Sequence, residues 1–148
     1  MSFKFQITTP EKIVHTSMAD SVSVPTVDGE ITILSNHMPL ISAVKIGVLH
    51  VKHGKEEIYM AVDGGILKMD KGGLMILANS AERADDLIEE QVRKAQEDAK
   101  KAMEEKRSGT VEFTQAFAAL ERETMKLRAI RRSRSARGGS IGASNIGE

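Results

Sequence analysis

Apolar positions in the first half of the chain recur every second residue. Phe3, Phe5 and Ile7 alternate with polar neighbours, and so do Val22 with Val24, Ile31 with Ile33, and Leu49 with Val51. "EEIYMAV" (56–62) and "GLMILA" (73–78) are further β-rich runs. Successive side chains of a strand point to opposite faces, so this period predicts strands with one buried face. Asp28-Gly29, His53-Gly54-Lys55, Asp63-Gly64-Gly65 and Lys71-Gly72-Gly73 bound the runs, and each reads as a turn. Many short strands between glycine turns predict an all-β sandwich, about ten strands over residues 1–84.

The period changes after Ser80. Residues 81–107 contain neither Gly nor Pro, and Ile88, Val92, Ala95, Ala99 and Ala102 recur at helical spacing. Ser80 is a candidate N-cap, with Glu82, Asp85 and Asp86 in the first turns. "RSGT" (107–110) interrupts the pattern: Gly109 suits a helix C-terminus and Thr110 a new N-cap. Phe113, Phe117, Leu120, Thr124 and Leu127 then resume the same stripe. Two helices of similar length with a short connection predict an antiparallel hairpin over 85–132. Its apolar stripe is thin and rich in Ala, so it is expected to dock weakly and to detach readily. "SRSARGGSIGASNIGE" (133–148) has no periodicity and reads as a disordered tail. The fold class is therefore α+β.

Composition narrows the function. Aromatic residues make up only 3% and there is no Cys, which excludes disulfides and thiolate metal sites. No apolar run approaches the roughly 20 residues that span a bilayer. The N-terminus lacks the apolar stretch of a signal peptide. Net charge is zero, but residues 122–148 hold seven bases and two acids, whereas 1–80 hold seven and eight. A basic end of this kind suits an acidic partner. A β-sandwich module with a basic nucleic-acid-binding tail is the alternative reading. Against it, the tail has no interleaved aromatics and the β half no second basic patch.

Candidate chemistry is sparse. In "HVKH", His50 and His53 are three apart on a strand and so face opposite ways, a poor metal geometry. His37 in "SNHMPL" has no neighbouring nucleophile or paired carboxylate. "DGGILKMDKGG" is glycine-rich without the order of a phosphate-binding loop. No catalytic residue and no metal site are expected.

"VPTVDGEITILSNHMPLISAVKIGVL", "YMAVDGGILKM" and "LMILANSAER" resemble, in order and spacing, the epsilon chain of the bacterial F-type ATP synthase. The likeness runs from about residue 3 to about residue 130. It implies a non-catalytic rotor subunit of a proton-translocating ATP synthase. The sandwich would join the γ chain of the central stalk to the polar loops of the membrane c-ring, with Glu30 and His37 at the turn positions of that contact. The hairpin would meet the catalytic β and α chains and restrain ATP hydrolysis. The resemblance also implies an acidic helix-and-loop segment on the catalytic chain, facing the basic residues Arg122, Lys126, Arg128, Arg131 and Arg132. It places the protein at the cytoplasmic side of the bacterial cell membrane, as a peripheral protein that does not insert into the bilayer and binds no nucleic acid. Some members bind ATP on the hairpin through [IL]-D-x-x-R-A. Here the corresponding stretch is Glu89-Glu90-Gln91-Val92-Arg93-Lys94, and only Arg93 is kept. No cofactor is expected, and Arg93 is the residue that would touch phosphate if ATP did bind.

Overall fold

The computed structural model describes residues 1–146, with side chains described through Arg137. Eight strands come first: β1 (Phe3–Thr8), β2 (Ile13–Ala19), β3 (Ser21–Thr26), β4 (Gly29–Leu34), β5 (Leu40–Val44), β6 (Gly47–His53), β7 (Glu56–Asp70) and β8 (Gly73–Arg83). They run in the order β2-β1-β8-β7-β5-β3-β4, and β6 closes against both β3 and β7. All pairings are antiparallel except β1 with β8. The alternating residues supply the core. Phe5, Ile7, Val22, Val24, Ile33, Leu49, Met60, Leu67 and Ile76 are wholly buried between the layers.

Eight strands rather than about ten result from the behaviour of Gly64 and Gly65. By local sequence they form a turn, but they lie inside the 15-residue β7. Up to Val62 this strand pairs with β6, and from Gly65 onward with β5. Strand β8 follows it from Met60 to Asp70, across the glycines, pairing Asp63 with Ser80 and Gly65 with Ala78. The glycines therefore bend one strand from one layer to the other. Both have positive φ, +67° and +133°. A Cβ on Gly65 would strike the Leu77 carbonyl, so only glycine fits the bend.

The same long β8 displaces the expected start of the first helix. Ser80 is a ladder residue and caps nothing. Ser80–Arg83 still alternates, with Ala81 inward and Glu82 outward, and pairing with β7 outcompetes helix formation. A 3-10 turn (Ala84–Asp86) then leads to α1 (Glu89–Glu105). Ile88, expected within the apolar stripe, precedes α1 in an extended conformation and is exposed. Thr110 does cap α2 (Val111–Ile146): its hydroxyl accepts the Phe113 N–H at 3.2 Å.

The helices are unequal, with 17 and 36 residues. Residues 133–137, at the start of the stretch expected to be a disordered tail, continue α2: Ala136 packs on the sandwich, Ser133 is buried, and Arg134 and Arg137 are paired with acids. The end of that tail, 147–148, lies outside the described residues.

The hairpin lies against the sandwich. One row of α2, Leu120, Thr124 and Leu127, faces α1, where Gln96 donates to the Thr124 hydroxyl at 3.2 Å. A second row, Met125, Ala129 and Ala136, packs on Val48, Tyr59 and Ala61 of β6 and β7 and on Ala84. Phe117, expected within the first row, is exposed.

Candidate functional site

Three surfaces stand out, and none has the geometry of a catalytic centre. Among the described residues, no group of three or more metal-ligating side chains converges. No described helix is long and apolar enough to cross a membrane.

The first surface surrounds His37. Asn36 adopts φ +65°, a conformation Asn tolerates in tight turns. The turn closes with the His37 N–H donating to Leu34 O at 3.1 Å, and leaves the His37 and Met38 side chains exposed. His37 Nδ1 is 2.8 Å from Met38 O. Lys4, Asp70 and Lys71 join this loop around an open groove of about 580 Å³. Glu30 is also exposed, but it sits at the opposite end of β4. At about 3.4 Å per residue, Leu34 lies about 14 Å from it along the strand. The structure therefore places the two expected contact residues at different ends of one strand.

The second surface is an uncovered sheet face. Ile66 and Leu77 are directly opposite on β7 and β8, and both are 54% exposed. Ile41 on β5 and Met75 on β8 flank Lys68 in the next row, and Ile41 is 71% exposed. Burying such residues on one sheet side and exposing them on the other breaks the usual alternation. A contiguous exposed apolar patch of this kind is characteristic of a contact surface.

The third surface is the seam between α2 and the sandwich. Its small apolar contacts are bordered by ion pairs. Lys126 Nζ is 2.9 Å from Glu82 and 3.1 Å from Glu123, and Arg122 is 3.6 Å from Asp63. Arg137 reaches Asp85 at 3.5 Å, and Arg134 reaches Glu89 of α1 at 2.8 Å. The Arg132 guanidinium lies 5.2 Å from the centre of the Tyr59 ring, a cation–π distance. Burial pulls the Lys126 pKa down, but hydrogen bonds to Glu82 and Glu123 outweigh it and leave the pKa above 10.5.

The basic residues singled out in the sequence are thus divided. Arg122, Lys126 and Arg132 are engaged by the protein itself, whereas Arg128 and Arg131 are exposed. Arg93 is tied to Glu89 at 3.0 Å within α1, and Glu89 also holds Arg134. Hydrogen bonds from Arg134 and then Arg93 keep the Glu89 carboxyl below its ordinary pKa. The acids Asp63, Glu82 and Asp85, and the platform of Tyr59 and Ala129, were not recognised in the sequence. A signal for one of them, Ala129, was present. Arg122, Met125, Ala129, Arg132 and Ala136 recur at helical spacing as a mixed small and basic row, and a purely apolar search passes over it.

Residues 2–84 match the family model described as the ATP synthase delta/epsilon chain β-sandwich domain. The ATP synthase epsilon chain of Desulforamulus reducens is 34% identical over 126 residues, covering 85% of this chain and 95% of that one. That of Herpetosiphon aurantiacus is 36% identical over 137 residues, covering 90% and 99%. In fold, the chain resembles one in the Euglena gracilis mitochondrial ATP synthase assembly of OSCP, F1 and c-ring. The TM-score there is 0.74 at 19% identity, covering 87% of this chain and 81% of that one. A central stalk and c-ring structure from Tetrahymena thermophila gives a TM-score of 0.55 at 10% identity, covering 88% and 97%.

Proposed function

Since the chain belongs to the delta/epsilon family of ATP synthase and is a non-catalytic subunit of that enzyme, we propose that it is a rotor coupling element with a built-in brake. The sandwich joins the γ shaft to the c-ring of a proton-translocating synthase, at the cytoplasmic face of the bacterial cell membrane. The uncovered face of Ile41, Ile66 and Leu77 fits the shaft, because it offers apolar area where none is needed for the core. The loop of His37 and the turn before Glu30 supply polar contacts at either end of β4. Each is exposed, and each can change partner without disturbing the core.

The hairpin restrains ATP hydrolysis when it leaves the sandwich and sets the basic face of α2 on the acidic segment of a catalytic β chain, beside its α neighbour. One observation carries this reading. Arg122, Lys126 and Arg132 are held by contacts to the sandwich that are individually weak. Partly exposed ion pairs are worth only about 0.2–1 kcal/mol each, so an acidic partner can compete for the same side chains.

The division of the basic face determines the test. Replacing Lys126 or Arg132 loosens docking and removes a partner contact together, so the two effects oppose one another. Arg128→Ala with Arg131→Ala leaves the seam intact. Hydrolysis by the reconstituted catalytic hexamer with γ should be less inhibited by this double variant, most clearly at low salt. Inhibition equal to that of the parent chain at low salt would refute the electrostatic brake.

A further inference from the structure

His50 stands at the α2 seam with no part in the coupling described above. It is on β6, paired in register with Tyr59 on β7. The two rings stack at 4.3 Å, inclined by only 6°. The same Tyr59 ring receives the Arg132 guanidinium from α2. His50 Nε2 is 3.3 Å from a Glu57 carboxylate oxygen but is buried without hydrogen-bond geometry. We propose that His50 makes the docking of α2 acid-sensitive: protonation of its imidazole loosens the Arg132–Tyr59 contact and releases the hairpin.

The charges around His50 determine the direction. Glu57 on β7 favours the proton, and Lys52 on β6 opposes it. Both belong to the sandwich and stay in place whether α2 is docked or free. Strand β3 places only the uncharged Ser23 opposite His50. Burial of the ring and the Arg132 cation both disfavour an imidazolium, and of the two Arg132 is brought by the docking of α2. A cationic His50 would also compete with Arg132 for the electron-rich ring of Tyr59. The docked state therefore binds the proton less well than the released state. Docking is strongest above the ordinary imidazole value of 6.5 and weakens as the pH falls below it. Further along the seam, Asp85 and Arg137 pair with each other.

The proposal rests on the hairpin being the regulatory element, but its test needs only the full-length chain. Amide exchange of residues 122–137, corrected for intrinsic rates, would be compared at about pH 7.5 and about pH 5.5. Protection should fall at least about threefold in acid, and His50→Gln should abolish the fall. His15→Gln should retain it, because His15 also lies below its ordinary pKa but sits on β2 against Phe5. A titration of the His50 ring by NMR stands independently of any variant. It should give a pKa below 6.5 that rises in Arg132→Ala. Unchanged protection in acid, an equal fall in His50→Gln, or a ring pKa at or above 6.5 would each overturn the proposal. None of these results would touch the brake itself, which fails only on the hydrolysis assay.

Discussion

Ala129→Leu isolates the docking of the hairpin from every other property of the protein. Ala129 is wholly buried and packs on Val48, Tyr59, Ala61 and Ala84, and its seam is bordered by Met125 and Ala136. Leucine adds three carbons where the backbones of a helix and two strands already approach through small side chains. Overfilling such a site costs about 1–3 kcal/mol. Leu and Ala have similar helix propensities, so α2 itself is unaffected. The sandwich core is a separate cluster around Phe5, Ile7 and Met60, and it is not touched. The whole cost therefore falls on the docked state. At 1.4 kcal/mol per tenfold, the opening equilibrium shifts by about 5- to 150-fold. Native-state amide exchange should show that loss of protection in residues 122–137 and none in β1, β3 and β8. In a reconstituted complex the same variant should inhibit hydrolysis more strongly than the parent chain. Equal loss of protection in the strands would mean that hairpin and sandwich open as one unit, and an unchanged α2 would mean that the seam yields without cost. Either result would refute the reasoning.

Gly65→Ala should lower stability by at least about 2 kcal/mol, read as a shift of the denaturant midpoint, because the φ is positive and the Leu77 carbonyl occupies the Cβ position. Glu30→Lys and His37→Ala should weaken rotor assembly in pull-down with γ and leave the melting temperature nearly unchanged, since both side chains are exposed. Isothermal titration with ATP should show no binding in the low-micromolar range, about −8 kcal/mol, because Arg93 is already committed to Glu89. The hairpin should also respond to stronger acid, and its docking to stronger base. The depressed Glu89 carboxyl joins α1 to α2 above its ordinary 4.5, and that contribution disappears as the pH falls through its lower folded-state value. The raised Lys126 contributes below 10.5, and its share is lost only as the pH rises through the higher value. Amide exchange of α2 against pH would show both limits.

What the sequence by itself determined is what short-range periodicity encodes. Period-2 alternation from Phe3 to Ala78 marks the buried face of the strands, since a strand with one dry side requires that spacing wherever it pairs. The row from Leu120 to Leu127, the Thr110 cap and the break at Gly109 were legible for the same reason, because each is settled within one or two turns of the chain. Long-range pairing decided the rest. Asp63-Gly64-Gly65 is a turn by local chemistry and became a bend inside β7 because β8 pairs along both sides of it. Ser80 is a cap by type and became a ladder residue because Asp63 lies opposite it. The functional seam was the least legible feature. Its apolar half is built of alanines, and its polar half joins Arg122 to Asp63 and Arg132 to Tyr59, residues more than fifty positions apart. No local pattern distinguishes a basic helix face that waits for a partner from one already held by its own sandwich. Only the tertiary structure brings the acids into reach.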